Sequence, residues 1–263
     1  MTFSARRPAG VIVALALVLA LLAAGGLWWA AGGADRGRAA AGPGVYVALG
    51  ASDAVGVGAQ RPAQEGWVPR VHAGLPAGTQ LVNLGISGAT LGDVIERQLP
   101  VALDARPRWA TLWPGVNDLR AGVDEAAFGR DLDLVLGELD RIEGITVVVL
   151  NIPDLRLLPV FGGGNAARLD ATVQRRNALI AEAARRHGAL LVDLYAGQLE
   201  LAQHPEYISA DGFHPSSAGY ARIADLALER LRAGQASGVR RRASGMMAGA
   251  GVAGWRRGAA TGV

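Results

Sequence analysis

The sequence contains neither cysteine nor lysine among its 263 residues. Without cysteine the chain can form no disulfide, no thiolate nucleophile and no thiolate metal site. Without lysine it lacks the ammonium group of a phosphate-binding loop, a kinase or a Schiff-base enzyme. Candidate chemistry is therefore sought among serine, histidine and the carboxylates.

The basic residues are unevenly distributed along the chain. The formal net charge is +3, but residues 1–44 carry +3, residues 45–233 carry −5 and residues 234–263 carry +5. A nucleic-acid-binding domain normally carries its arginines on the folded body. Because the body of this chain is acidic, we expect no nucleic-acid partner.

Residues 1–44 predict an export segment followed by a linker. Arg6 and Arg7 precede an uncharged run, and its apolar part, Val11–Ala31, is long enough to cross a bilayer. We favour an uncleaved signal anchor, which would make a single-pass membrane protein with its body outside the cytoplasm. The alternative is a cleavable signal peptide, with a small-residue cleavage site among Ala30–Ala34 and a secreted product.

Residues 45–233 predict one α/β domain, because short strand-like runs alternate with longer helical ones. The strand candidates are Val45–Leu49, Gln80–Asn83, Ala110–Trp113, Ile145–Asn151 and Leu190–Leu194. The helix candidates are Gly66–Gly74, Leu91–Gln98, Glu125–Ile142, Ala167–His187 and Ser216–Arg232. This order predicts a three-layer α/β/α sandwich with a five-stranded parallel sheet. We also expect the protein to act as a monomer. Residues 234–263 are Gly, Ala and Arg without periodicity and predict a disordered tail.

The segments that follow the predicted strands carry the candidate chemistry, because ligands of an open parallel sheet bind beyond the carboxyl ends of its strands. Ser52 follows the first strand, Gly85 the second and Asn117 the third. Asp211 and His214 follow the last strand, three residues apart in a turn, so the carboxylate can reach Nδ1 and leave Nε2 free. Each residue alone is also an ordinary turn residue. None of the four histidines lies in an H-E-x-x-H or H-x-H pattern, so no metal is expected.

In this chain order the segments form a complete set of nucleophile, oxyanion donors, acid and base. The N-x-G-x-S-G-x-T, G-x-N-D and D-x-x-H-P elements resemble the SGNH hydrolases, also called GDSL-type esterases and lipases, over Val45–Arg232. The resemblance implies a flavodoxin-like SGNH fold that needs no cofactor. It also implies that Ser52 is the nucleophile and that Gly85 and Asn117 complete an oxyanion hole with the Ser52 N–H. The aspartate and histidine of the last block would complete a catalytic triad.

The first block departs from the family pattern, since Gly-Ala-Ser-Asp stands where Gly-Asp-Ser-Leu is usual. Ala51 removes a possible hydrogen-bond partner, and Asp53 places a carboxylate where a hydrophobic residue is common. Both changes bear on the shape and polarity of the pocket beside Ser52. The unrelated α/β-hydrolase fold fits less well. Its G-x-S-x-G elbow needs a glycine two residues after the serine, and this chain has Ala54 there.

The resemblance implies hydrolysis of carboxylic esters through an acyl-enzyme. The apolar, proline-containing segment Ile152–Phe161 is compatible with an acyl-pocket wall, a lid or a plain packing loop. An apolar pocket near a membrane favours a lipid acyl ester or a lysophospholipid as substrate. The alternatives are a carbohydrate O-acetyl esterase, an acyltransferase of the cell envelope and a non-catalytic tethered binding module.

Overall fold

The computed structural model describes the backbone of residues 42–252 and the side chains of residues 42–234. The predicted anchor or signal peptide therefore lies outside the described residues, as do residues 253–263 of the predicted tail. Within the described part, no helix is both long and apolar enough to cross a membrane.

Five parallel strands form the central sheet in the order β2-β1-β3-β4-β5. They are β1 Val45–Leu49, β2 Gln80–Asn83, β3 Trp109–Leu112, β4 Thr146–Leu150 and β5 Leu190–Val192. The predicted five-stranded parallel sheet is confirmed, and each strand end lies within two residues of its predicted position.

The strands read as continuous apolar runs because both faces of the sheet are covered. All four residues of β3 are buried, and so are the residues of β1 from Tyr46 to Leu49. Alternate side chains enter different layers, and Val47 and Leu49 join a core cluster with Phe128.

Helices cover both faces and give the predicted three-layer α/β/α sandwich. They are α1 Ser52–Val55, α2 Pro62–Glu65, α3 Trp67–Ala73, α4 Leu91–Asp93, α5 Leu99–Asp104, α6 Val116–Arg120, α7 Glu125–Asp140, α8 Ala166–Arg186, α9 Gln198–Gln203 and α10 Ser217–Val252. Single 3-10 turns lie at Leu155–Leu157, Pro159–Phe161 and Pro205–Tyr207. Helices α3 and α10 pack together on one side of the sheet, and α7 packs with α8 on the other.

The helix predicted over Leu91–Gln98 is interrupted. Thr90 and Asp93 form a reciprocal capping box at the start of α4. The following segment, Val94–Gln98, is a π-helical turn, and the chain continues without a break into α5. Such π turns frequently occur at functional sites, and this one places Gln98 beneath the end of β1.

The last helix, α10, continues to Val252, whereas the sequence favours a helix end at Arg232 and a disordered tail from residue 234. The added segment, residues 233–252, contains five alanines and three arginines, which are good helix formers, but also five glycines, which are poor ones. Periodicity, on which the prediction depended, does not detect a helix of this kind.

Candidate active site

Ser52 lies at the carboxyl edge of the sheet, where β1 passes through a two-residue turn into α1. Gly50 adopts a φ of +149°, which an L side chain rarely accepts, and Ala51 follows it. The turn brings the Ser52 Oγ to 2.8 Å from the Nε2 of His214. Residues 162 positions apart thus meet at one hydrogen bond.

Asp211 orients the His214 ring from the other side. The Nδ1 of His214 lies 2.6 Å from Asp211 Oδ2, and Asp211 Oδ1 accepts hydrogen bonds from the backbone N–H groups of Phe213 and His214 and from the Ser209 hydroxyl. Burial raises the pKa of the Asp211 carboxyl, but these hydrogen bonds outweigh it and hold that pKa well below its ordinary value. Asp211 is therefore ionised at neutral pH, and with Nδ1 protonated the imidazole can accept the Ser52 proton at Nε2.

The loop that carries His214 is held against the turn that carries Ser52 by close backbone packing. Gly58 has a φ of +97°, and a Cβ there would lie 2.4 Å from the carbonyl oxygen of Pro215. The hydroxyl of Tyr220, on α10, donates to the carbonyl of Val57 at 2.7 Å. These contacts fix the separation between the loop that carries Ser52 and the loop that carries His214.

Gln98 holds the turn before Ser52 in place through hydrogen bonds to Gly50. Its side chain is fully buried, its Oε1 accepts from the Gly50 N–H at 3.0 Å, and its Nε2 donates to the Gly50 carbonyl at 2.9 Å. The amide thus pairs with the N–H and the carbonyl of one residue, as a residue of a neighbouring strand would. Sequence reasoning missed this residue, because nothing local distinguishes a glutamine that pairs with a glycine 48 positions away.

Asn117 lies in the wall of the same site, near the start of α6. Its Nδ2 donates to the Ala89 carbonyl at 3.0 Å, and the amide carries a second N–H for another acceptor. The next residue, Asp118, is buried and accepts from the Leu91 N–H at 2.9 Å. Two hydrogen bonds therefore join the loop after β3 to the loop after β2.

Gly85 is placed differently from the other candidates. Its N–H donates to Asn83 Oδ1 at 3.1 Å, and it is not among the residues that line the cavity at Ser52. A Cβ at this position would lie 2.7 Å from the Cβ of Ala54. In this structure the glycine allows the loop after β2 to pack closely against α1.

A largely apolar cavity of about 160 Å³ opens at Ser52, Asn117 and His214. Its apolar walls include Ala89, Trp113, Leu155, Leu158, Leu194, Leu201, Ile223 and Leu226. The cavity reaches from the end of β1 to the segment after β5. Strand β5 is the third strand from β1 in the sheet.

The segment Ile152–Phe161 contributes Pro153, Leu155 and Leu158 to the cavity wall. It is anchored to α8 at Ile152, whose N–H donates to Asn177 Oδ1 at 2.9 Å and whose carbonyl accepts from Asn177 Nδ2 at 2.8 Å. Of the three interpretations of this segment, the geometry favours the wall of a pocket.

Asp53 also lines the cavity, directly after Ser52. Its Oδ1 accepts from the Ala51 N–H at 3.1 Å, so the side chain folds back over the turn between β1 and α1. Burial raises the pKa of Asp53 to about 6, although backbone N–H groups and the nearby His214 lower it in part. Among the residues that the structure describes, no cluster of histidine and acidic side chains could hold a metal ion.

The family of the chain is shown by one family model. The model of the GDSL-like Lipase/Acylhydrolase family matches residues 48–222. No curated protein matches the chain.

Solved structures show the same fold. An acetylxylan esterase from Geobacillus stearothermophilus is 20% identical with a TM-score of 0.60, over 73% of this chain and 95% of that chain. A lipase/acylhydrolase from Enterococcus faecalis is 21% identical with a TM-score of 0.58, over 72% and 96%. A member of the lipolytic protein G-D-S-L family from Veillonella parvula is 23% identical with a TM-score of 0.57, over 70% and 96%.

Proposed function

The chain belongs to the GDSL-like lipase/acylhydrolase family, and we propose that it is a serine esterase acting on acyl esters of lipids or lysophospholipids. Membership of this family makes it an ester-hydrolysing enzyme. The observation that carries the finer proposal is the hydrogen-bonded line from Ser52 through His214 to Asp211, which opens on an apolar cavity.

In the proposed reaction, His214 Nε2 removes the Ser52 proton while Oγ attacks the ester carbonyl carbon. The carbonyl electron pair moves to oxygen, and the imidazolium then protonates the departing alcohol. Water repeats the sequence on the acyl-enzyme and releases the acid. Asp211 stays ionised throughout and stabilises the imidazolium, which its low pKa supports.

The proposed oxyanion donors are the N–H groups of Ser52 and Gly85 and the side-chain amide of Asn117. Asn117 supports this assignment best, because it lines the cavity and one N–H of its amide is not needed by Ala89. For Gly85 to donate to the oxyanion, its N–H has to share or leave the bond to Asn83.

The cavity volume limits the acyl group. A cavity of about 150 Å³ accommodates benzene, so a volume of about 160 Å³ suits acyl chains of about four to eight carbons, and a longer chain has to extend through the opening. We expect kcat/KM for p-nitrophenyl esters to peak in this range in a series from acetyl to hexadecanoyl. A maximum at acetyl would favour the carbohydrate O-acetyl esterase alternative instead.

The nucleophile is tested by fluorophosphonate labelling together with ester hydrolysis. We expect the wild type to be labelled at Ser52, and Ser52→Ala to lose both labelling and activity. Ser87→Ala, an exposed serine in the loop after β2, is the matched control and keeps both. A Ser52→Ala variant that still hydrolyses esters would refute the assignment. Absence of labelling in the wild type would favour a binding module, and transfer to an added alcohol that exceeds hydrolysis would favour an acyltransferase.

We also propose that the domain over residues 45–233 works as a monomer outside the cytoplasm, held at the membrane by the segment Val11–Ala31 or secreted after its cleavage. The apolar sequence of that segment supports this placement. Membrane fractionation of the full chain, combined with mass spectrometry of its N-terminus, distinguishes anchor from cleaved signal. Recovery of uncleaved chain from the cytoplasm would refute both.

A further inference from the structure

Asp53 places a carboxylate in the cavity wall beside the nucleophile. The side chain is only partly exposed, lines the same cavity as Ser52 and His214, and is held by the Ala51 N–H. Resting on the proposed esterase function, we propose that Asp53 is a specificity-determining residue that makes the site select esters by charge. It favours a substrate with a cationic group near the scissile bond and rejects an anionic one.

The other charged groups of the cavity do not neutralise Asp53. The lining contains the carboxylates of Asp53, Asp193 and Glu200 and the guanidinium of Arg222, a net charge of −2 when His214 is neutral. Arg222 is bound to Glu200 by hydrogen bonds of 2.6 and 2.9 Å, so its charge is already paired. A cation that enters the cavity therefore meets an excess of negative charge.

The groups nearest to Asp53 leave its charge available to a substrate. The positive charge of a protonated His214 lowers the pKa of Asp53 and favours its ionised form. The Tyr220 hydroxyl is held neutral by burial, with the negative charge of Asp53 as a further contribution, and donates to Val57. Arg120 lies over the Phe213 ring, 5.3 Å from its centre, and does not line the cavity.

The walls are also suited to a positive charge. Trp113, Tyr207 and Phe213 line the cavity together with Asp53, and aromatic faces attract ammonium groups. A carboxylate in a partly desolvated site acts through a lower effective dielectric constant than water. A unit charge within several ångströms of it then changes kcat/KM on the order of 10- to 100-fold.

The test compares esters that differ only in charge. One pair is the butanoate ester of choline and that of 3,3-dimethylbutanol, in which carbon replaces the charged nitrogen of the alcohol. The other pair is methyl 4-(trimethylammonio)butanoate and methyl 5,5-dimethylhexanoate, which carry the same change in the acyl group. The two pairs measure charge selection on both sides of the scissile bond.

We expect the ratio of kcat/KM for the cationic ester to that for its neutral isostere to fall about 10- to 100-fold in Asp53→Asn for at least one pair. Asparagine keeps the oxygen that accepts from Ala51, so the turn is retained. In the wild type the same ratio rises with pH through about 6, the pKa of Asp53, because the ratio follows the ionisation of the Asp53 carboxyl. Asp140→Asn, which removes an exposed carboxylate at the end of α7, leaves the ratio unchanged.

Two results would overturn the proposal in different ways. In the first, all four esters are hydrolysed, but the ratio of kcat/KM for the cationic ester to that for its neutral isostere is independent of pH in the wild type and unchanged in Asp53→Asn. This result rejects charge selection and leaves the proposed esterase function intact. If the wild type hydrolyses none of the four esters and is not labelled by a fluorophosphonate, the proposed function itself fails, and charge selection fails with it. The pH dependence of the wild type decides the matter even where the variant does not fold.

Discussion

Replacing Gln98 by leucine removes the side chain that pairs with the backbone N–H and carbonyl of Gly50. Gly50 is buried, and its N–H would lose its acceptor at a cost of about 1–3 kcal/mol. The Gly50 carbonyl would lose the hydrogen bond from Gln98 Nε2 but keep the one from the Ile86 N–H at 3.2 Å. This loss should cost about 0.5–1.5 kcal/mol of stability. Leucine has a similar size and leaves no large cavity, so the two losses together should lower the free energy of unfolding by about 1.5–4.5 kcal/mol.

Urea unfolding followed by tryptophan fluorescence measures this loss, since Trp67 and Trp109 are fully buried and report on the core. Gln64→Leu, an exposed glutamine on α2, controls for the change of residue type and should shift stability little. Because Ser52 lies two residues beyond Gly50, loss of the pairing also loosens the position of Ser52. The fraction of the Gln98→Leu variant that remains folded should therefore show a lower kcat than the wild type. A loss of less than about 1 kcal/mol would show that the pairing with Gly50 is not needed for the fold.

Three further predictions concern the site. Asn117→Ala should lower kcat about 10²- to 10³-fold with little change in KM, and an unchanged kcat would remove Asn117 from the oxyanion hole. Gly58→Ala should lower kcat about 10²-fold, because the new Cβ pushes the Pro215 backbone and with it the histidine loop; full activity would show that the loop adjusts freely. The pKa of Asp53 rises from 3.8 to about 6 on folding, so its stabilising neutral form is present at low pH and lost as the pH rises through 6. At pH 7.5 the free energy of unfolding of Asp53→Asn should thus exceed that of the wild type by up to about 3 kcal/mol, with a higher unfolding temperature, but the two should agree at pH 4. An equal difference at both pH values would contradict this origin.

Local sequence was sufficient to predict the strands and the three longest helices, α7, α8 and α10, whereas the short helices α1, α2, α5, α6 and α9 were not predicted. Parallel strands buried on both faces read as short apolar runs, and helices α7 and α8 show one apolar stripe each, in which Leu132, Leu136 and Ile180 are buried. The end of α10 could not be found in this way, since residues 233–252 show no apolar stripe and include five glycines.

The candidate site could be predicted in part, because parallel strands place their carboxyl ends at one edge. That rule anticipates that Ser52, Asn117 and His214 lie near one another, which is how the structure places them. It says nothing of Gln98, whose role depends on a π-helical turn and a long-range hydrogen bond, or of the direction in which the Asp53 side chain folds. Both depend on packing between segments that are distant in sequence.

The hydrogen bond between Ser52 and His214 joins the first strand-to-helix turn to the segment before the last helix, 162 residues later. Closing so long a loop is entropically costly, so contacts of this kind form late in folding, after the sheet between them has assembled. A partly folded chain with a complete β1 and α1 would have its serine but no base beside it. Hydrolysis is then a property of the finished fold alone, and recovery of activity after dilution from urea should follow the slowest structural step.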